Sequence, residues 1–271
     1  MAKKQRKKLT LANLSSNLGR VSWVGALLLV GALVVNAVNR KETAIISGID
    51  ISVEALAGTA DNYLIDTSDV RAILQESFTK PLDQLRLAEI DMARVERVLE
   101  RNPFVSEAEA FVDKNNGLRV KIEQRRPLLR VKDNNGLDYY LDVDGNRMPP
   151  SKHYAARVVV VTGNVAPWQK DFLLRENHNL HDIYQLAELL VTDEFLQALV
   201  EQIYLTNKGE LVLSPKVGDQ IIYLGRYDDE KTPERLERLK VFYRQGLPYE
   251  GWRKYKSFDL RYADQVVCTK R

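Results

Sequence analysis

The sequence predicts an α+β fold in three parts: a single N-terminal transmembrane helix, a strand-helix-helix-strand-strand domain, and a strand-rich β domain with flanking helices. Three observations carry it. Residues 21–39 hold no charge and follow a basic start. Residues 43–125 pass from strand-like runs to 3.6-residue spacing and back to period-two alternation. From residue 126 onward, short extended runs recur between turns rich in Asn, Asp and Gly.

The first part, residues 1–20, is a basic tail with six cations (Lys3, Lys4, Arg6, Lys7, Lys8 and Arg20) and no acid. A helix over residues 21–39, from Val21 and Trp23 through Leu28 and Val34 to Asn39, would span about 28 Å. A bilayer core is about 30 Å thick. Only Arg40 and Lys41 follow directly, beside Glu42, so the charge asymmetry places the tail in the cytoplasm and the rest outside. A cleaved secretory signal is the alternative, since Val35-Asn36-Ala37 offers small residues at the spacing a signal peptidase reads. The apolar stretch is longer than the usual signal core of about 7–15 residues, which favours the anchor.

In the domain over residues 43–125, a first strand is expected at 44–51 around Gly48. Asp66, Thr67 and Ser68 are candidate N-caps for a helix whose Val70, Ile73 and Leu74 form one face, with Pro81 beyond its end. A second helix starts near Asp91, aligns Val95, Val98 and Leu99, and stops at Asn102-Pro103. Val105–Val112 and Leu118–Gln124 then alternate around Asn115-Asn116-Gly117, a hairpin signal.

The domain over residues 126–271 is expected to hold strands at 128–131, 138–142, 158–162, 200–206, 210–214 and 220–224. Helices are expected at 180–191, near 193–198, and from 233 to 245, where Thr232 can cap, Pro233 fits the first turn and Gly246 can close the end. Residues 255–262 and 265–270 read as a terminal antiparallel hairpin.

The formal charge of +3 is a tail effect. Beyond residue 20 the chain carries 34 cations and 37 acids, so a surface that tracks nucleic-acid phosphates is disfavoured. The single cysteine, Cys268, excludes an internal disulfide and a cysteine-based zinc site. No cofactor is expected. His178 and His181 could meet a metal on one helical turn, yet no third ligand stands at recognisable spacing. Ser77-Phe78-Thr79-Lys80 matches the S-x-x-K signature of penicillin-recognising enzymes, but Lys231-Thr232-Pro233 and Ser68-Asp69-Val70 are poor stand-ins for its partner motifs. Asp142 and Asp144 fall in turn chemistry, where Asp bonds its own backbone. An enzyme is not expected.

Several words, taken in order, resemble one known family. They are Asn102-Pro103-Phe104-Val105, then Glu123-Gln124-Arg125-Arg126-Pro127, then Tyr139-Tyr140-Leu141-Asp142 with Gly145 and Met148-Pro149. Later come Leu224-Gly225-Arg226, Phe258-Asp259-Leu260-Arg261-Tyr262 and Gln265-Val266-Val267-Cys268. The chain resembles the FtsQ/DivIB family of bitopic division proteins over nearly its full length. Where many relatives place Asn-Gly in the last turn, this chain has Ala263-Asp264.

The resemblance implies that residues 43–125 form a POTRA-like β-α-α-β-β domain. It implies a non-catalytic divisome scaffold in the inner membrane at the septum, with periplasmic domains that bind FtsB/DivIC-like and FtsL-like coiled-coil partners, linking early and late division proteins to septal wall synthesis. Other divisome proteins would be met through the POTRA domain. In relatives, partners use the late strand and the helix before it, which here points to Arg261, Tyr262, Val266, Val267 and Cys268, with Lys240 and Tyr243 on the helix. Strand addition at an uncovered edge is the physical route. The alternatives are a POTRA-bearing envelope chaperone and, less favoured, an anchored envelope enzyme acting through Ser77.

Overall fold

A computed structural model describes residues 27–33, 45–56, 62–133, 136–175 and 177–271. Of the expected transmembrane residues, Leu28 lies in a helical stretch at 27–33 whose leucines are largely exposed. Val21, Trp23, Val34 and Asn39 lie outside the described residues, as does the basic tail. Among the described residues, no helix is long and apolar enough to cross a membrane.

The first domain has β1 (Ile49–Val53), α1 (Thr67–Ser77), α2 (Met92–Glu100), β2 (Val105–Val112) and β3 (Leu118–Gln124). β3 is central, parallel to β1 and antiparallel to β2. Its burial alternates, with Leu118, Val120, Ile122 and Gln124 inside and Arg119, Lys121 and Glu123 outside, as period-two patterning requires. Val70, Leu74, Val95 and Leu99 of the two helices share the core with that inner face. Asp66 is the N-cap of α1: its carboxylate accepts from the Asp69 N–H at 2.8 Å. β1 begins at Ile49, later than expected. The preceding residues pair otherwise, Ile45 bridging Arg86 and the Gly48 carbonyl accepting from Leu118.

On the outer strand β2, the Ala110 N–H donates to Glu96 Oε1 of α2 at 2.9 Å. A carboxylate thus occupies an edge donor that another strand would otherwise use.

The second domain is built on one nine-stranded sheet of order β12-β11-β10-β9-β8-β7-β4-β5-β6. Its strands are β4 (Pro127–Asp133), β5 (Asp138–Asp142), β6 (Arg147–Met148), β7 (Val159–Gly163), β8 (Val200–Leu205), β9 (Leu211–Pro215), β10 (Ile221–Gly225), β11 (Tyr255–Asp259) and β12 (Val267–Lys270). The β7–β8 and β10–β11 pairs are parallel and so need crossovers. The first crossover holds α3 (Asn179–Thr192) and α4 (Glu194–Leu199); the second holds α5 (Lys231–Val241) and α6 (Leu247–Glu250). Leu180, Ile183, Leu186, Ala187 and Leu190 of α3 join Leu236 and Leu239 of α5 in one core with the sheet.

Two helix ends differ from expectation. Thr232 does not cap α5; it is buried within the helix, and its hydroxyl accepts from the Asp228 N–H. The Asp228 carboxylate accepts the N–H groups of Glu230 and Lys231, which does the capping from outside. Gly246 does not stop the helix either. Residues 242–246 form a π-helical turn that runs into α6, and Gly251, at φ 91°, makes the exit.

The two domains meet over a small apolar cluster of Leu64, Tyr140 and Met148, with Phe104 against it. Polar bonds surround it. Buried Gln124 accepts the Leu64 N–H at 2.5 Å and donates to the Glu54 carbonyl at 2.6 Å. Arg125 Nη1 donates to Asp142 at 2.9 Å. The buried Asp142 carboxylate also accepts from the Asp144 and Asn146 N–H groups and the Asn146 amide, the turn bonding expected of it. Ser151 donates to the Leu64 carbonyl, and Lys152 bonds Asp69 at 2.7 Å. His153 Nε2 lies 2.6 Å from the other Asp69 oxygen.

Gln124→Leu keeps the bulk but strands backbone groups on two segments. The expected cost is about 1–3 kcal/mol for an unsatisfied buried group. Urea unfolding with an unchanged m-value would measure it.

Candidate partner-binding edge

The expected terminal hairpin is present. Asp259 stands opposite Val267 and Phe258 opposite Cys268. β12 ends the sheet, and among the described residues it pairs only with β11. Its Val267, Thr269 and Lys270 are exposed and Cys268 half-buried. Burial pushes the Cys268 thiol up, which favours its protonated form. The connection is longer than a two-residue turn: residues 260–266 join the strands, and Asp264 takes the left-handed conformation at φ 56°. Asp tolerates that conformation better than most side chains.

Beneath the hairpin, Phe258 is fully buried, with its ring 5.1 Å from Phe242 and 5.8 Å from Tyr243. Tyr243 also meets Phe195 and Trp252 edge-on. Burial pushes its hydroxyl up to about 12. This expected partner residue is therefore a core residue that supports β11 from behind.

Arg261 and Lys240 are likewise engaged within the fold. The Arg261 guanidinium donates to both Asp259 oxygens, at 3.0 and 2.6 Å, and to Glu210 at 3.2 Å, and it lies 5.4 Å over the Tyr223 ring. That pairing holds Asp259 below the usual carboxylate range. Gly225, at φ 90°, lets the arginine stem pass, since a Cβ there would lie 2.9 Å from Arg261 Cγ. Two of the sequence words, Leu224-Gly225-Arg226 and Phe258-Asp259-Leu260-Arg261-Tyr262, thus meet in space. Lys240 sits between Asp193 at 2.6 Å and Glu237 at 2.7 Å, because the helix turns that face toward α4. Arg238 donates to the Leu260 and Tyr262 carbonyls and so fixes the start of the connection.

Tyr262, Val266, Val267 and Cys268 remain around the free edge, with Tyr262 and Val267 exposed. Beside them runs a groove of about 710 Å³, walled by Val241, Phe242 and Gly246 on one side and Gln265 and Val266 on the other. Val241 is 44% exposed, an apolar side chain on an open wall. The sequence pattern did not single out this groove, since it exists only where the π-helical turn passes the connection.

No catalytic constellation accompanies the edge among the described residues. His178 stands at the start of α3 without a side-chain cap bond, and burial lowers its pKa. Among the described residues, the one cluster with metal-ligand donors is Asp66, Asp69 and His153. Lys152 already bonds Asp69 there, and a helix N-terminus repels a cation. It serves as a clasp between domains.

Residues 126–269 match the family described as FtsQ/DivIB, C-terminal related, and residues 47–123 match a POTRA-like domain. Over 186 residues the chain is 28% identical to the cell division protein FtsQ of Rhodothermus marinus. That alignment covers 67% of this chain and 66% of the relative. With its POTRA-like domain followed by a sheet that ends in the β11–β12 hairpin, the chain belongs to the FtsQ/DivIB family.

Proposed function

We propose that this protein is a non-catalytic cell-division scaffold, held in the inner membrane by residues 21–39, with its folded domains in the periplasm. At the septum it binds FtsB/DivIC-like and FtsL-like coiled-coil proteins and so links early division proteins to septal wall synthesis. The POTRA-like domain meets other divisome proteins. The observation that carries this reading is the free edge of β12: its outward backbone groups are left for an added strand, with the groove beside Val241 and Val266 for an adjoining helix. The likeness to a cell division protein of Rhodothermus marinus supports the division role. The nineteen uncharged residues after a basic tail support the anchor.

Photo-crosslinking in cells from positions 262 to 270 tests the reading, compared with a chain truncated after Tyr262. Crosslinks to a small membrane-anchored coiled-coil protein, stronger at alternate positions of β12 and lost on truncation, are expected. A folded full-length chain without crosslinks at any of these positions would refute it.

A further inference from the structure

A second surface lies on the opposite side of the same sheet order, next to β4. Where the first domain's exit meets the second domain, a cleft of about 580 Å³ is walled by Leu56, Leu128, Tyr154 and Val158. Arg126 and Arg157 line it too, and both are exposed. Among the described residues neither guanidinium has an ion pair or side-chain hydrogen bond, and none of those lining the cleft is acidic. This sets them apart from their neighbour Arg125, committed to Asp142, and from Arg130, forked onto Asp138.

Two unpaired guanidiniums over an apolar floor are a recognition pattern. Arginine holds carboxylates through paired donors, and apolar walls reward side chains rather than a bare anion. We propose that this cleft binds a short acidic, amphipathic peptide segment of a partner protein, its apolar side chains on Leu128 and Val158 and its carboxylates on Arg126 and Arg157. An inorganic anion would leave the apolar floor unused, and an uncharged apolar peptide would leave both arginines unpaired. The site is separate from the β12 edge, so one molecule can hold both partners at once.

The probe is a fluorescein-labelled peptide of alternating leucine and glutamate, LELEL, read by anisotropy with the folded full-length chain in detergent. Saturable binding is expected, weakened about tenfold by Arg126→Glu or Arg157→Glu alone, as loss of one charge-assisted contact implies. The double variant should lose it, while truncation after Tyr262 should leave it intact. Circular dichroism and thermal melts confirm that each variant folds; both side chains are exposed and unbonded, so they should. Equal binding of the isosteric LQLQL peptide, or binding unaffected by the double variant, would overturn the proposal. Displacement by millimolar glutamate or phosphate would do so as well, by assigning the cleft to small anions. Sensitivity to the truncation instead of the arginines would return all binding to β12.

Discussion

Proline at Val267 or at Cys268 is expected to lower the affinity for a coiled-coil division partner about 100-fold or more, with different effects on folding. Along an antiparallel strand, successive N–H groups point alternately to the paired strand and away from it. Of Val267→Pro and Cys268→Pro, one therefore removes a bond to β11 and the other a donor that faces outward. The second variant tests strand addition most cleanly, because an edge strand tolerates proline where its N–H faces solvent. The proline ring also blocks the approach of another backbone. Titration of each variant with the purified partner, alongside its melting temperature, makes the check. A variant that melts like the parent yet binds at parental strength at both positions would exclude β12 as the docking strand.

The largest expected stability loss lies far from that edge, at Asp142. Its carboxylate is buried, and it bonds Arg125, two backbone N–H groups and the Asn146 amide. Asp142→Ala leaves those donors and a partly buried guanidinium without an acceptor. Breaking a buried pair from one side costs about 3–5 kcal/mol, which is a fall in melting temperature of roughly 10 °C for a domain of this size. The neighbouring exposed Asp144→Ala should change stability by no more than about 0.5 kcal/mol. Adding Arg125→Met to Asp142→Ala should recover part of the loss, since the stranded cation is gone. If the double variant is as unstable as the sum of the two single changes, the pair is not coupled.

The legible parts of the fold were those with short-range causes. The burial stripe of α2, the alternation of β3 and the cap at Asp66 each rest on residues a few positions apart. The crossover order of the nine-stranded sheet was not legible, because β4 pairs with β7 and β7 with β8 across intervening elements. The capping of α5 was misassigned because Asp228 acts from outside the helix while Thr232 is drawn into the core. At the candidate edge, the strand itself and the short-range pair of Arg261 with Asp259 were within reach of the sequence, but the bonds of Lys240 to Asp193 and of Arg261 to Glu210 join residues distant in sequence. The family words proved informative in an unexpected way. Glu123-Gln124-Arg125-Arg126-Pro127 and Tyr139-Tyr140-Leu141-Asp142 mark the junction between domains, where Gln124, Arg125 and Asp142 do their bonding.

That junction has a consequence for encounter statistics under the proposed anchor. Only Arg125 and Arg126 separate β3 from β4, and Lys152 and His153 grip Asp69 at a second point. A loose tether between the domains would let the docking strand sample a broad shell of heights above the bilayer and would dilute it there. If the chain is anchored and docks partners as proposed, a membrane-bound partner meets β12 within a narrow slab, and its effective concentration is set by folded protein rather than by the statistics of an interdomain linker.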